Sequence, residues 1–177
     1  MLTVPKIPAL TRYIGVDPGQ AGGVAVICGD TIEAYPMPES ELDTWNLFKE
    51  LTYVGPIRGS IELVHSMPKQ GLSSSFTFGR NYGFVRACLI ACSVGFNDVQ
   101  PKRWQHTLDI VGRKKDEPVG ALKLRLLAAA KQRFPEFPLW NEPKTKGKQL
   151  AVCDAMLIAY YCEITHEGFN RRSASVR

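Results

Sequence analysis

The alternation of apolar and polar residues along the chain predicts an α/β domain with five strands. Each expected strand is a short apolar run that turn residues bound on both sides. These runs occupy residues 13–16, 23–28, 31–35, 58–64 and 96–100. Elsewhere, apolar residues recur every three or four positions, which is typical of amphipathic helices. The expected helices cover residues 40–51, 82–94, 101–106, 119–134 and 149–165.

The order of these elements favours a mixed five-stranded sheet flanked by helices. The first three strands follow one another through tight turns, such as Gly29-Asp30, so we expect them to pair antiparallel. Helices separate the later strands, as in other α/β domains. Ser40, with Asp43 three residues later, is a capping signal for the first helix. The Gly/Ser-rich stretch 66–75 predicts a polar loop before the second helix.

The length of the chain indicates a single domain. With 177 residues it can bury a hydrophobic core, but it is too short for two ordinary domains and a linker. We expect an N-terminal tail at residues 1–11, the folded domain at 12–166 and a basic C-terminal tail at 167–177. The segment from residue 170 onward carries little apolar pattern, so we expect it to be disordered.

Positive charge is concentrated in the second half of the chain. Lys and Arg number 22 and Asp and Glu number 17, which gives a net charge of +5. A basic surface favours polyanionic partners, because each Lys or Arg near a phosphate releases condensed counterions. Such charges are also found on ordinary solvated surfaces. The candidate DNA contacts in this half are Lys102, Arg103, Arg113, Lys114 and Lys115.

Cysteine usage and hydropathy indicate a reducing compartment and no membrane segment. The five cysteines form an odd number and lack the spacing of a metal site, so we expect reduced core residues. No secretion signal is visible, and no apolar run approaches the roughly 20 residues of a membrane-spanning helix. We therefore expect a protein of the cytoplasm or of an organelle stroma, with no membrane partner.

Three acidic residues stand at the end of an apolar segment or within one. Asp17 follows the first strand, Glu62 interrupts the fourth strand, and Asp154 lies in an otherwise almost uncharged helix. Each has an ordinary alternative: Asp17 as a turn residue, Glu62 as an outward-facing strand residue, and Asp154 as a partner of the helix dipole. A partly buried carboxylate nevertheless needs a partner.

One arrangement accounts for all three acids together. Carboxylates from a first strand, a central strand and a late helix can converge on divalent metal ions, which are hard cations that prefer oxygen ligands. Two such ions can activate water and stabilise the leaving oxygen of a phosphodiester. His65, shortly after Glu62, is a possible accessory ligand or substrate contact, although a loop histidine is more often incidental.

With these residues assigned, the chain resembles the RuvC-type Holliday-junction resolvases, in particular the branch found in bacteriophages and chloroplasts. Four segments carry the resemblance, in the family's order: IGVDPGQAGGVAVI, IELVHSMPKQGLSSSFTFGRNYGFV, VQPKRWQ and CDAMLIAYY. The resemblance implies an RNase H-like fold, a homodimer, dependence on Mg²⁺ or Mn²⁺, and paired nicks in a four-way DNA junction. It also implies that Asp17, Glu62 and Asp154 bind the metal.

The resemblance further implies that residues 67–83 contact the junction. Lys69, Phe76 and Arg80 are the candidate contacts in that segment, although a Ser-rich loop can also be merely exposed to solvent. One departure stands out, because relatives usually carry another Asp or His three to five residues before the last Asp. Gln149, Leu150 and Ala151 stand there instead. Either another group such as Lys148 completes the site, or a natural or introduced substitution has weakened it.

Three alternative functions remain open. The actin-like ATPases also begin with an Asp and a glycine-rich hairpin, but they need a second lobe for which this chain has no room. Other RNase H-like nucleases act on RNA–DNA hybrids or as integrases. A junction-binding protein that has lost cleavage would explain the missing acid near Ala151.

Overall fold

The computed structural model describes residues 10–63, 71–118 and 120–174, and of residues 72–74 and 167–174 it describes the backbone only. Its strands are β1 (Arg12–Asp17), β2 (Gly23–Cys28), β3 (Thr31–Pro36), β4 (Ile57–Glu62) and β5 (Gly95–Val99). Its helices are α1 (Glu41–Thr52), α2 (Leu72–Ala91), α3 (Pro101–Thr107), α4 (Ala121–Arg133) and α5 (Lys146–Ala174). A short 3₁₀ turn at Pro138–Asn141 connects α4 to α5.

The five strands form one mixed sheet in the order β3-β2-β1-β4-β5. The hairpins make β1, β2 and β3 antiparallel neighbours, whereas β1 pairs parallel with β4, and β4 with β5. The predicted mixed five-stranded sheet is therefore confirmed. Ser40 caps α1 as expected, because its hydroxyl oxygen accepts a hydrogen bond of 3.0 Å from the Asp43 amide.

Helices cover both faces of the sheet. On one face, α1 and α2 pack Phe48 and Leu89 against Ile14, Val24 and Ile61 of the strands. On the other face, α5 packs the small and apolar side chains of its first half against β1 and β2. A further apolar cluster joins α4 to the outer side of α5 through Leu126 and Leu157. The central strands are thus buried on both sides, while their carboxyl ends point toward a single edge.

Two helices are longer than the sequence pattern predicts. The Gly/Ser-rich stretch expected to be a loop is helical from Leu72 onward, so α2 begins about ten residues before the expected start at residue 82. Its last residue is Ala91, and Gly95 opens β5 instead of ending the helix. Helix α5 continues to Ala174, through residues expected to form a disordered tail. One glycine, Gly168, costs a helix only about 1 kcal/mol, so it does not force a stop.

All five cysteines are free thiols in the structure, and Cys88, Cys153 and Cys162 are buried. The expected core position is thus found for these three, whereas Cys28 and Cys92 are half-buried. Within the ranges that the structure describes, no helix combines the length and the apolar character needed to cross a bilayer.

Candidate active site

Asp17 and Glu62 lie at the ends of two neighbouring parallel strands. Val16 of β1 is the register partner of Ile61 of β4, so the next residues along each strand are Asp17 and Glu62. Side chains alternate between the two faces of a strand. Since Ile61 packs against α1 and α2, both carboxylates point to the opposite face, which α5 covers. The parallel pairing thus brings together two acids that are 45 positions apart in the sequence.

The turn after β1 holds the Asp17 carboxylate in place. Its Oδ1 accepts a 3.1 Å hydrogen bond from the Gly19 amide. A Cβ on Gly22 would lie 2.6 Å from the Asp17 carboxyl carbon and 2.3 Å from its backbone oxygen. Because no side chain fits in that space, the Pro-Gly turn and Gly22 together determine where the carboxylate lies.

Helix α5 brings Asp154 close to this strand edge by packing tightly on β1. A Cβ on Gly15 would meet the Ala159 nitrogen at 2.1 Å and the Ala155 oxygen at 2.3 Å, so only glycine permits this approach. Asp154 lies one residue before Ala155 and is 8% exposed. A cluster of small residues thus places an acid from a late helix beside two acids from strands.

Burial and mutual repulsion make this group of acids electrostatically costly. Burial raises the pKa of Glu62 to about 7, and the Asp17 and Asp154 carboxylates add to that shift. The Trp104 indole opposes it by donating a 2.8 Å hydrogen bond to Glu62 Oε2. Burial, and then Asp154, likewise raise the pKa of Asp17. These shifts are typical of carboxylates gathered at one buried site.

Lys123 of α4 supplies one positive charge to the group. Its ammonium lies 2.7 Å from Asp154 Oδ2. Burial lowers the pKa of Lys123, but its contact with Asp154, together with Cys153 and Asp17, raises it above the ordinary value. Lys123, Asp154 and Glu62 line one cleft together with Arg113 of the loop before α4. The cleft therefore has acids at its base and basic groups on its rim.

The donor types fit a divalent cation, but their arrangement does not form a ready ligand set. Carboxylate oxygens are the ligands that Mg²⁺ and Mn²⁺ prefer, and a cation would relieve the raised pKa values of Asp17 and Glu62. However, Lys123 already occupies Asp154 Oδ2. Across the described residues, no three or more His, Cys, Asp or Glu side chains are grouped closely enough to hold a metal ion.

The other predicted site residues lie in several places. Lys69 and His65 fall outside the described residues. Phe76 and Arg80 are exposed on α2, and Arg80 forms a 3.7 Å ion pair with Glu41. The basic residues of α3 and of the loop before α4 are exposed as well: Lys102, Arg103, Arg113, Lys114 and Lys115. Lys148 is exposed at the start of α5, and the lysine that contacts Asp154 is Lys123 instead.

Sequence reasoning missed Lys123 and Trp104. Lys123 belongs to a run of basic residues on an amphipathic helix, yet it precedes Leu126 and Leu127 by three and four positions and so shares their buried face. That spacing is the signal that could have identified it. Trp104 is fully buried, and its indole N–H needs a partner that only the fold supplies, namely Glu62.

The mixed five-stranded sheet with its flanking helices is an RNase H-like fold. Two solved structures of Thermus thermophilus RuvC share it. The structure described as T. thermophilus RuvC in complex with Holliday junction substrate has a TM-score of 0.53 and 14% identity, with 87% of this chain and 96% of that chain covered. The structure described as Thermus thermophilus RuvC structure has a TM-score of 0.50 and 14% identity, with 85% of this chain and 92% of that chain covered.

At this level of identity the likeness shows the fold alone, and the predicted RNase H-like fold is confirmed. No family model matches the sequence, and no curated protein matches it. Membership of the bacteriophage and chloroplast branch is not supported by these comparisons.

Proposed function

We propose that this chain is a divalent-metal-dependent DNA endonuclease that resolves four-way junctions by paired nicks. The observation that carries the proposal is the meeting of Asp17, Glu62 and Asp154 at one sheet edge of an RNase H-like fold. The similarity in fold to RuvC, which one structure contains in complex with a Holliday junction, supports the choice of substrate.

The proposed metal ligands are Asp17, Glu62 and Asp154. When bound, Mg²⁺ or Mn²⁺ supplies activation of water and stabilisation of the leaving oxygen in phosphodiester cleavage. Trp104 holds one Glu62 oxygen, so the other remains available. Lys123 occupies only Oδ2 of Asp154, so a cation that binds this oxygen would displace the ammonium, which is then available to a DNA phosphate.

The basic rim of the cleft is the proposed DNA contact surface. Arg113 lines the cleft beside the acids, and Lys114 and Lys115 follow it on an exposed loop. Lys102 and Arg103 are exposed on α3, the helix that carries Trp104. Positive groups around an acidic centre hold phosphates near it and offset the repulsion between DNA and carboxylates.

A four-way junction has two equivalent strands, so paired nicking calls for two copies of the site. The chain offers one helix face suited to a second copy. The outer side of α2 carries exposed small or apolar residues at helical spacing, and we call them the α2 stripe: Phe76, Gly79, Gly83, Ala87 and Ile90. Other apolar residues of α2, such as Val85 and Leu89, are buried in the monomer core and are not available to a second copy.

The motif match extends the proposal to the bacteriophage and chloroplast branch and to roles in DNA recombination and repair. A panel of labelled substrates tests the function itself: a four-way junction, a linear duplex of the same sequence and an RNA–DNA hybrid, each with Mg²⁺ or with EDTA. We expect symmetric nicks in the junction alone, and only with Mg²⁺. Cleavage of the hybrid in preference to the junction would favour another RNase H-like nuclease.

A second candidate is a junction-binding protein with impaired cleavage. It is favoured by Leu150 and Ala151, which offer no ligand beside Asp154, and by the Lys123 ion pair. The variant Ala151→Asp adds a carboxylate one helical turn before Asp154. If the chain binds junctions without cutting them and Ala151→Asp restores cutting at fixed Mg²⁺, the impaired protein is the correct description. Efficient cutting by the unchanged chain excludes it.

A further inference from the structure

The loop between α3 and α4 is tied to α4 by a single arginine. Arg125 donates from Nε to the Val111 carbonyl at 3.0 Å and from a terminal nitrogen to the Gly112 carbonyl at 2.8 Å. The same guanidinium donates two more hydrogen bonds to the Glu117 carboxylate, at 2.8 and 3.1 Å. The forked geometry of the guanidinium allows these four bonds at once. Both ends of the segment 111–117 are therefore held by one side chain.

Glu117 makes the second set of contacts that hold this loop. Its hydrogen bonds to Arg125 are the main reason that its pKa lies below the ordinary value, and the backbone amide of Lys114 also hydrogen-bonds to it. The carboxylate thus links helix α4 to the middle of the loop. Asp116, directly before Glu117, has a φ of 66°, a left-handed turn conformation that Asp adopts more readily than most other non-glycine residues.

The segment held in this way carries three consecutive basic residues. Arg113, Lys114 and Lys115 are all exposed, and they lie between Gly112 and Glu117, the residues on either side that Arg125 holds. Arg113 lines the same cleft as Glu62, Lys123 and Asp154, which places the start of the basic run at the candidate active site. Like charges at neighbouring positions repel one another, and an untied loop would spread them apart.

We propose that Arg125 and Glu117 form a clamp that holds the Arg113-Lys114-Lys115 run against the backbone of a DNA strand entering the cleft. The inference rests on the proposed function, because it takes DNA phosphate as the ligand. Arg125 and Glu117 are positioning residues: they act through the three basic side chains and contact neither the phosphates nor the acids. Ordering these side chains beforehand reduces the entropy lost when DNA binds.

The variant Glu117→Gln distinguishes the clamp from a simple effect of charge, because the two predict opposite changes in DNA affinity. Removing an acid makes the chain more positive, so charge alone predicts tighter binding to DNA. The clamp predicts that DNA binding weakens by about three- to tenfold. It also predicts a smaller slope of log K against log salt, by about one for each phosphate contact that is lost. The measurement is the Kd for a four-way junction by fluorescence anisotropy across a salt series.

Asp98→Asn is the matched control, because it also removes the acid of a hydrogen-bonded arginine pair. The charge change is the same, and Arg86 is about one third exposed as Arg125 is, although Asp98 is 34% exposed and Glu117 10%. We expect Asp98→Asn to bind DNA as tightly as the unchanged chain or more tightly. If Glu117→Gln behaves like Asp98→Asn, the clamp is wrong.

Arg125→Lys provides a test in which the charge does not change. A single ammonium cannot make the four bonds of the guanidinium, so we expect the same loss of affinity and the same smaller salt dependence as in Glu117→Gln. At saturating DNA, the cleavage rate of both variants should stay within about twofold of the unchanged chain, since the acids are untouched. Unchanged affinity of Arg125→Lys, with the helical circular dichroism signal intact, overturns the clamp alone. Failure of the unchanged chain to bind any DNA overturns the proposed function, and the clamp with it.

Discussion

The charges of a few side chains determine how readily the candidate site takes up a metal ion. Asp17 and Glu62 are forced close together by parallel strand pairing, and burial makes their negative charge costly. Lys123 neutralises Asp154 through a 2.7 Å contact. A lysine and a divalent cation therefore compete for the same carboxylate. The relative strength of those two interactions decides how readily the site takes up metal.

Lys123→Met should raise the affinity of the folded chain for Mg²⁺. Removing the ammonium frees Asp154 Oδ2 and leaves three mutually repelling carboxylates, so we expect the Kd for Mg²⁺ to fall at least about threefold. Isothermal titration calorimetry, or the rise in Tm on adding Mg²⁺, measures it without any cleavage assay. In EDTA the variant should be less stable by roughly 2 kcal/mol, because a buried carboxylate loses its partner.

Lys131→Met is the matched control for this experiment. It makes the same replacement on the same helix, where the Lys131 ammonium lies 5.4 Å from the centre of the Trp140 ring, away from the acids. We expect its Mg²⁺ affinity to equal that of the unchanged chain. An equal or weaker Mg²⁺ affinity in Lys123→Met would show that Lys123 does not compete with the cation.

Glu62 should make the metal-free protein less stable as the pH rises. Its pKa is about 7 in the folded chain, above the ordinary value of 4.5, so the folded state binds the proton more tightly. Stability from this group is therefore complete below about pH 4.5 and is lost as the pH rises through about 7, by on the order of 2 kcal/mol. Urea unfolding in EDTA at pH 5 and pH 8 should show a smaller pH effect for Glu62→Gln. The same pH effect in both proteins would contradict the raised pKa.

Among the elements, α5 determines whether the three acids meet. It lies across β1 and β2, and the lack of a side chain at Gly15 allows the backbone of the helix to approach the strand. The same helix presents Asp154 to the site and buries Val152 and Met156 in the core. Packing and function therefore depend on a single close contact.

Gly15→Ala should destabilise the protein and displace Asp154. The added methyl would lie 2.1 to 2.3 Å from backbone atoms of α5, which cannot rotate away. We expect a loss of about 2–3 kcal/mol in urea unfolding, the upper range for overpacking. Gly147→Ala, on the same helix and with no atom within 4 Å of the added carbon, should be neutral or slightly stabilising. Equal stabilities of the two variants would refute the close contact.

The lengths of α2 and α5 illustrate what a local pattern cannot provide. The sequence predicts both helices from their apolar repeats, and the Ser40 cap predicts the start of α1 to within a residue. The Ser-rich start of α2 has weak helix propensity by itself, but a helix already formed from Phe84 onward extends upstream at low cost. Propensity read residue by residue underestimates such cooperative extension.

At the scale of the whole molecule, the mixed five-stranded sheet and the three candidate acids are predicted from the sequence, but the groups around the acids are not. Glu62 and Asp154 stand out because each interrupts an apolar segment, and Asp17 because it directly follows one. The partners Trp104 and Lys123 come from elements 42 and 31 residues away, and no periodicity encodes those contacts. The acids of the site can therefore be recognised in the sequence, whereas their long-range partners cannot.

The α2 stripe should mediate a two-fold dimer in solution. Ile90 of the stripe is 65% exposed in the monomer. Ile90→Glu would bury a charge at the dimer interface, so we expect light scattering to give a monomer mass for this variant and a dimer mass for the unchanged chain. Leu42→Glu is the control, because Leu42 is 66% exposed on α1, outside the stripe. A monomer mass for the unchanged chain at high concentration would contradict the dimer.

The most direct test is single-turnover cleavage of an end-labelled four-way junction by the unchanged chain and by Asp17→Asn, with junction affinity measured for both. Asp17→Asn keeps the size of the side chain and removes the charge that would hold a cation. We predict that it binds the junction within about threefold of the unchanged chain and cuts it at least about 100-fold more slowly in Mg²⁺. Equal cutting by the two proteins would contradict the assignment of Asp17 and its neighbouring acids as the catalytic centre.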